Sequence, residues 1–488
     1  MYTQHSLAQA PHPRRLPFHP LPLTADSLKQ LFSDCADFEC RAVCLGLDPE
    51  RTVTVCWLDG MVAGDLVAED IIRPLTSAPR QRDAASPADA LARVLSGAVY
   101  SHAARLRDTL DQVAEDLNHG CCALLPEGAG QAVCFEVRSA CVRAVAEPTL
   151  EKSLKGAKDA FVETLRTNTA LVRRRLATPG LKLKELSVGR RSHTRVALLY
   201  LEGVAAPETV EELRRRLESL DVDALTATGI LEEALIDAPH SPFPQLLHTE
   251  PPDRFAMHLD QGRVGILADG LPVGLLLPAS LPAFLEVTGD GSMHPLVSAA
   301  LASLRWLALG IGLLLPGFYT AVALYHPEMI PTRLLLSIIR AEQDLPFSTA
   351  LEVLGMLAAF SLLQEAGLRM PNPIGDTVSI IGALIVGQAA VEAKLVSPIA
   401  IIVVAVSGIA CYTLPSQDLG FALRLGRLAL LLGAMLAGLY GLGLAGCVLL
   451  LHLSELESFG TPYLSPSPSA RPPLLPGLRK LLRRGKTP

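Results

Sequence analysis

The apolar positions along this chain fall into two regimes. Through roughly the first 290 residues they come as short runs between charged and turn-forming residues. The runs Thr52–Leu58 and 196–201 are short and rich in β-branched or bulky side chains, a pattern that predicts buried strands. Residues 207–220 instead place Val210, Leu213, Leu217 and Leu220 at helical spacing behind Pro207, a residue suited to a first helical turn. Beyond residue 295 the pattern changes. The stretches 306–327, 395–417 and 428–454 contain no charged side chain, and 300–455 holds only 16 of the chain's 92 Asp, Glu, Lys and Arg residues. Each stretch is long enough to cross a hydrocarbon core, which takes about 20 apolar residues as helix.

The polar part contains a repeat. Val55-Cys-Trp-Leu-Asp-Gly-Met-Val-Ala63 aligns with Leu198-Leu-Tyr-Leu-Glu-Gly-Val-Ala-Ala206 at an offset of 143. Gly120-Cys-Cys-Ala-Leu-Leu-Pro-Glu-Gly128 aligns with Gly262-Arg-Val-Gly-Ile-Leu-Ala-Asp-Gly270 at 142. Each copy reads as strand, helix and hairpin, with Glu127-Gly128 and Asp269-Gly270 as the hairpin turns. The predicted fold class is an α/β cytosolic region of two similar subdomains, followed by an all-α multi-span membrane domain. The expected division is an unstructured segment 1–30, subdomain 1 over 31–147, a helical linker 148–194, subdomain 2 over 195–290, a membrane domain 291–456 and a basic Pro-rich tail 457–488. Within the linker, Arg173, Arg174 and Arg175 read as a solvated face pairing with acids, or as a contact for anionic lipid or a partner.

Ionisable residues at membrane depth are candidate functional groups because removing them from water is expensive. They are Glu352, Glu365, Asp376 and Glu392, with Lys394 beside the last. The segment 375–395 carries small residues at helical spacing, Ser379, Gly382, Ala389 and Ala393, interrupted by Val386. Close helix packing explains such a stripe, and so does the wall of a narrow pore with Val386 as its constriction. The expected topology has four crossings: 306–327, 377–393, 395–417 and 428–454. The segment 346–367 does not cross, because its apolar core between Glu352 and Glu365 is short. An even number keeps the tail, with Arg471, Arg479, Lys480, Arg483, Arg484 and Lys486 and no acid after Glu457, on the cytosolic side with the N-terminal region. Arg424 and Arg427 then fall on the outer side.

Composition removes several classes. The net charge is −6 with no basic patch of the kind nucleic acid requires. Met1–Leu23 has no apolar core of a signal peptide. Ten irregularly spaced cysteines include no C-x-x-C, and Cys35, Cys40 and Cys44 have no paired histidines nearby, so buried free thiols are expected and no metal. No phosphate loop, zinc pattern or nucleophile elbow is present, so neither an enzyme nor a cofactor is expected.

Several segments resemble the A subunit of the GerA-type spore germinant receptors. They are Asn168-Thr-Ala-Leu-Val-Arg-Arg-Arg-Leu176, Val188-Gly-Arg-Arg-Ser-His-Thr-Arg-Val-Ala-Leu-Leu-Tyr-Leu-Glu-Gly203 and Ser241-Pro-Phe-Pro-Gln245. Leu315-Pro-Gly-Phe-Tyr319, Tyr325-His-Pro-Glu-Met-Ile-Pro-Thr332, residues 375–396 and Ser458-Phe-Gly-Thr-Pro-Tyr463 extend the likeness over roughly 35–464. The related stage V sporulation protein AF is similar at the same motifs. The resemblance implies a protein of the spore inner membrane, a pentamer whose helices form an ion channel, and partners in a transporter-like B subunit and a lipoprotein C subunit. It implies release of small ions, monovalent cations first, across the membrane lipid. The Pro/His-rich N-terminus, Lys394 and the basic tail depart from the family pattern. A secondary transporter and a non-conducting membrane scaffold are the competing functional classes; a transporter would show more spans and inverted repeats.

Overall fold

The computed structural model describes residues 21–45, 52–77, 103–128, 130–139, 158–287, 289–290, 293–343, 345–369 and 387–465. The fold class is as expected: two antiparallel sheets with helices, then a helical part. The chain resolves into two compact units, one of 1–150, 158–228 and 249–274, the other of 151–157, 229–248 and 275–488.

The first sheet is built from β1 (Phe38–Cys44), β2 (Thr52–Leu58), β3 (Ala104–Arg107), β4 (Cys121–Pro126) and β5 (Ala132–Glu136) in the order β1-β2-β4-β5-β3. The second uses β6 (Leu181–Val188), β7 (Thr194–Leu201), β8 (Leu247–Thr249), β9 (Val264–Ala268) and β10 (Gly274–Leu277) in the order β6-β7-β9-β10-β8. The two orders are the same topology, so the sequence repeat is a structural one. Helix α1 (Leu110–Asn118) precedes β4; after α2 (Leu165–Arg175) and α3 (Pro207–Glu218), helix α4 (Pro252–Asp260) precedes β9 in the same way.

One contact explains why the repeat retains its glycines. Gly120 and Gly262 follow the two equivalent helices at φ of 81° and 93°. A Cβ on Gly120 would lie 2.9 Å from the Met61 carbonyl oxygen, and one on Gly262 would lie 2.9 Å from that of Val204. Met61 and Val204 are themselves counterparts in the repeat. Both the left-handed backbone and the closeness of the neighbouring turn exclude a side chain.

The first sheet is covered on both faces. Val53, Val55, Cys122, Leu124 and Phe135 join one core cluster with Ile71 and Leu75. The alternate residues Cys56, Leu58, Cys121, Ala123 and Cys134 join another with Leu28, Val113 and Leu117. This is why β4 is buried at every position rather than alternating. Cys56, Cys121, Cys122 and Cys134 are thus core thiols, and burial pushes the Cys121 thiol up to about 11.

The arginine run of α2 departs from the solvated face expected of it. Arg173 is fully buried: its Nε and Nη2 donate to Asp37 at 2.6 and 2.8 Å, and its Nη1 donates to Asn118 Oδ1 at 3.3 Å. Arg174 donates to the Ser139 carbonyl at 3.1 Å, and Arg175 pairs with Asp159 at 2.6 Å. Beside Arg173, the β6 edge takes up residues 34–36: Ala36 N donates to Leu183 O at 2.8 Å and Leu183 N to Asp34 O at 3.0 Å. Asp269, the turn residue of the second copy, accepts from Leu165 N at 2.9 Å and so satisfies the N-terminus of α2. The linker helix is therefore a clamp inside the fold.

The helical part comprises α5 (Pro295–Tyr325), α6 (Thr332–Glu342), α7 (Thr349–Arg369), α8 (Pro398–Tyr412) and α9 (Gln417–Glu455). Helices α5 and α9 and residues Thr349–Ala366 of α7 are long and apolar enough to cross a membrane. The short, non-crossing segment expected over 346–367 is corrected in this respect. Glu352 and Glu365 do not interrupt the helix, because their backbone bonds are made within it whatever their side chains meet.

Nor is 428–454 one continuous helix. Ala437 (φ −144°, ψ 25°) and Gly438 (φ 60°, ψ −140°) break α9. A Cβ on Gly433 would lie 2.7 Å from Gly441 O, and one on Gly426 3.7 Å from a Leu449 methyl. A straight helix would hold residues 426 and 449 about 35 Å apart. The element is a hairpin with arms 417–436 and 439–455, about 30 and 25 Å long.

Helix directions follow from the contacts. The end of the structure where α5 starts is the near end here. Gly426 of the first α9 arm meets Leu313, and Tyr325 Oη donates to Met435 O at 2.7 Å, so this arm runs parallel to α5. Ser407 donates to Gly312 O at 3.1 Å while Tyr319, about two turns further along α5, is hydrogen-bonded to Ser397 at the start of α8, so α8 runs opposite. Glu352 meets Ser397 and Phe360 meets Gly408 and Tyr412, so α7 runs with α8. Helices α7 and α8 are consecutive among the described elements and run in the same direction; the expected crossing 377–393 lies largely outside the described residues. Arg424 and Arg427 lie within the first α9 arm, which starts at the near end.

Two outcomes test these features. Asp37→Ala leaves Arg173 buried without a counter-charge and lowers stability by about 3–5 kcal/mol. The urea midpoint of Trp57 fluorescence in a Trp306→Phe background reads it, and Asp37→Leu with Arg173→Met recovers most of the loss. Separately, cysteines at 426 and 449 in a Cys447→Ser background become linked within one chain by a short bis-thiol reagent in membranes. A straight α9 gives no such product.

Candidate functional site

The polar groups of the helical unit gather at three places within it. At the near end, Arg305 in α5 makes a bidentate pair with Asp290, both contacts at 2.6 Å, and Nη1 also donates to Leu285 O. Also at this end, Asp418 in the first turn of α9 accepts from His248 Nδ1 at 2.7 Å, with Glu232 3.6 Å from His248 Nε2. Burial pushes the Glu232 carboxyl up and His248 draws it the other way. The second α9 arm returns to this end, where His452 Nε2 lies 2.9 Å from Ser241 Oγ. Ser458 Oγ then donates to Gln245 O at 2.9 Å and Leu281 N donates to Tyr463 O at 2.8 Å. Both feet of the hairpin are pinned by the segment 241–248, whose Ser241-Pro-Phe-Pro-Gln245 motif had no assigned contact in the sequence.

Midway along the bundle, Arg427 is 3% exposed and donates to Ser407 Oγ at 3.0 Å, which in turn donates to Gly312 O. This chain of bonds ties α9, α8 and α5. Arg427 was located in the sequence only by its charge, and nothing in its spacing indicated burial.

At the far end, α5 finishes and α7 and α8 begin. Glu352 is 3% exposed and its Oε2 accepts from Ser397 N at 2.9 Å. Glu342 accepts from Thr349 Oγ1 at 2.7 Å. Ser397 is the N-cap of α8, its hydroxyl accepting from Ala400 N at 3.2 Å. Of the other expected acids, Glu365 is half-buried and Glu392 is exposed, while Asp376 lies outside the described residues.

The small-residue stripe divides in the same manner. Ser379, Gly382 and Val386 lie outside the described residues. Ala389 belongs to the helical turn 387–392 and is exposed, Ala393 follows in a turn and is exposed, and Lys394 there has a φ of 55°. Ala390, between them, packs on the cluster formed by Val353, Leu357, Val396, Ala400 and Leu431. The stripe's described end therefore sits beside the far-end acids.

Along the outside of the hairpin runs an open groove of about 640 Å³ lined by Gly433, Ala437, Gly441, Ala445 and larger apolar residues. Its edges expose Leu436 and Tyr440 by 82% and 77%. Such surface calls for lipid or a neighbouring helix.

Comparison with known proteins was made on this basis. A family model described as Bacillus/Clostridium GerA spore germination protein matches residues 26–483. Spore germination protein B1 of Bacillus subtilis (strain 168) is 33% identical over 441 residues, covering 90% of each chain. Stage V sporulation protein AF of the same organism is 32% identical over 360 residues, covering 73% of this chain and 72% of its own. The crystal structure of the N-terminal domain of the A subunit of the Bacillus megaterium spore germinant receptor GerK3 aligns with a TM-score of 0.41 at 26% identity, covering 52% of this chain and 92% of that one.

Proposed function

The chain belongs to the Bacillus/Clostridium GerA spore germination protein family, and from that premise we propose that it is the channel-forming A subunit of a nutrient germinant receptor. It passes small ions, monovalent cations first, across the spore inner membrane and has no chemistry of its own. The observation that carries this is the buried carboxylate of Glu352 in α7, which packs where the described end of the stripe Ser379, Gly382, Val386, Ala389 and Ala393 lies. A segment of small residues next to a buried acid suits a wall of a narrow ion path. The strongly apolar outer faces of α5 and α9 support assembly with further copies, a pentamer by family likeness, and with a transporter-like B subunit and a lipoprotein C subunit. The N-terminal region and the basic tail share the cytosolic, spore-core side, the arrangement that the positive-inside rule favours. The similar identity to stage V sporulation protein AF favours, as second reading, a channel subunit of that type, which amplifies the signal.

Conductance decides among the classes. Reconstituted with its partner subunits, the protein gives single-channel steps whose amplitude or gating changes in Val386→Ala. Saturable flux without steps identifies a permease, and silence from an intact complex identifies a scaffold. For orientation, a cysteine replacing Lys486 reacts with an impermeant maleimide applied from the cytosolic side of inverted vesicles. Reaction only from the opposite side overturns the even number of passages.

A further inference from the structure

We propose that Cys40 and Cys56 are a redox-active dithiol, oxidised by hydrogen peroxide to a reversible cross-strand disulfide. Both are free thiols, and they stand directly opposite each other in the antiparallel pairing of β1 with β2. Their sulfurs lie 2.9 Å apart. The inference concerns the first sheet alone and is independent of the channel reading above.

The strand register is the first observation. Asp59 N donates to Asp37 O at 2.7 Å, which makes 37 and 59 a hydrogen-bonded pair. Antiparallel pairs alternate between hydrogen-bonded and non-hydrogen-bonded. Residues 40 and 56 lie three steps from that pair and are therefore non-hydrogen-bonded. In such a pair the Cα atoms approach to about 4.5 Å and the side chains come closer together. Disulfides span Cα separations of about 4.4–6.8 Å, so this bond closes without moving either strand. No other two cysteines face each other among the described strand pairings. Cys44 is opposite Thr52, Cys121 opposite Glu136, Cys122 opposite Phe135 and Cys134 opposite Ala123.

The second observation is the unequal setting of the two thiols. Cys56 is fully buried in the core cluster that the helix Ala25–Leu31 joins through Leu28. Cys40 is half-buried on β1, which is an edge strand of its sheet. The hydrogen bond from Cys56, helped by Lys29, draws the Cys40 thiol down, and the same bond together with burial pushes the Cys56 thiol up. The thiolate thus resides on the sulfur that a peroxide reaches, and the proton stays on the sulfur behind it.

The chemistry closes with one oxidant. The Cys40 thiolate attacks one peroxide oxygen, the O–O bond breaks, and the departing hydroxide takes up a proton as water, leaving a Cys40 sulfenic acid. The Cys56 sulfur then attacks the Cys40 sulfur. The S–S bond forms, the S–O bond breaks, and hydroxide leaves as water with the Cys56 proton. Two thiols and one hydrogen peroxide give one disulfide and two waters, with two electrons passing from sulfur to oxygen. A small dithiol reverses the bond by exchange. The disulfide ties β1 to β2 on the strand that follows Asp37, the acid that holds Arg173.

Trypsin separates the thiols in question, because Arg41 and Arg51 place Cys40, Cys44 and Cys56 on different peptides. The test treats the reduced full chain in detergent with hydrogen peroxide, blocks the remaining thiols with iodoacetamide and digests without reductant. Mass spectrometry finds the Cys40 and Cys56 peptides linked within one chain, and dithiothreitol separates them. Cys40 is lost to alkylation about 10-fold faster than Cys44, which is likewise half-buried on β1 but faces a threonine. In Cys56→Ala the linked peptide disappears, and dimedone labels a Cys40 sulfenic acid several-fold more than in the wild type. Recovery of Cys40 and Cys56 as alkylated peptides at peroxide doses that consume Cys44 overturns the proposal. So does loss of Cys40 no faster than that of Cys44, or linkage of Cys40 to Cys44 or to a second chain in place of Cys56. The wild-type linkage is read without any substitution, so the test stays decisive where Cys56→Ala does not fold.

Discussion

Between Gly433 and Gly441 two helix arms approach until backbone touches backbone, because neither residue carries a Cβ. That contact, with the left-handed Gly438 at the tip, turns a 39-residue apolar helix into a hairpin. The rest of the helical unit depends on it. It brings Asp418 and His452 to the same end, where the 241–248 segment holds both. It offers α5 two faces to pack on, so that Leu430 and Leu442 enclose Ala321.

The bundle separates its polar groups by depth. Charged pairs are complete at the near end, where Arg305 meets Asp290. Midway, Arg427 leans on a serine and a carbonyl rather than on an acid. At the far end Glu342 and Glu352 lie close enough to act on each other. Arginine at a depth where nothing neutralises it is expensive. Its cost is offset here by two hydrogen bonds in series across three helices.

The N-terminal units show a different economy. Each repeat copy uses the same strand order and the same close turn at Gly120 or Gly262. The copies are then tied by α2, whose Arg173 reaches Asp37 and Asn118 while its start is held by Asp269. A buried ion pair of this kind adds little net stability against an apolar substitute but penalises any wrong arrangement heavily. Such a clamp fixes the register of one copy against the other.

The one-dimensional pattern determined the division into an α/β part and a helical part, the repeat, the strand cores and the hairpin turns. These are local properties: periodicity, turn residues and hydrophobic run length act over a few residues, so they are visible without contacts. Thr52–Leu58, for example, forms a strand with those bounds. Family membership was legible too, because several motifs in order identify a lineage. The fate of each charge was not legible. Arg173 in a polar run is buried, Glu352 at the edge of an apolar run is buried, and Glu392 in similar company is exposed. Burial of a side chain depends on which residues far along the chain come to face it. The same holds for the hairpin in α9, since glycines at 433, 438 and 441 permit a bend, a kink or a fold-back equally. Only the packing of α5 against both arms, which exists in the tertiary structure alone, selects the fold-back.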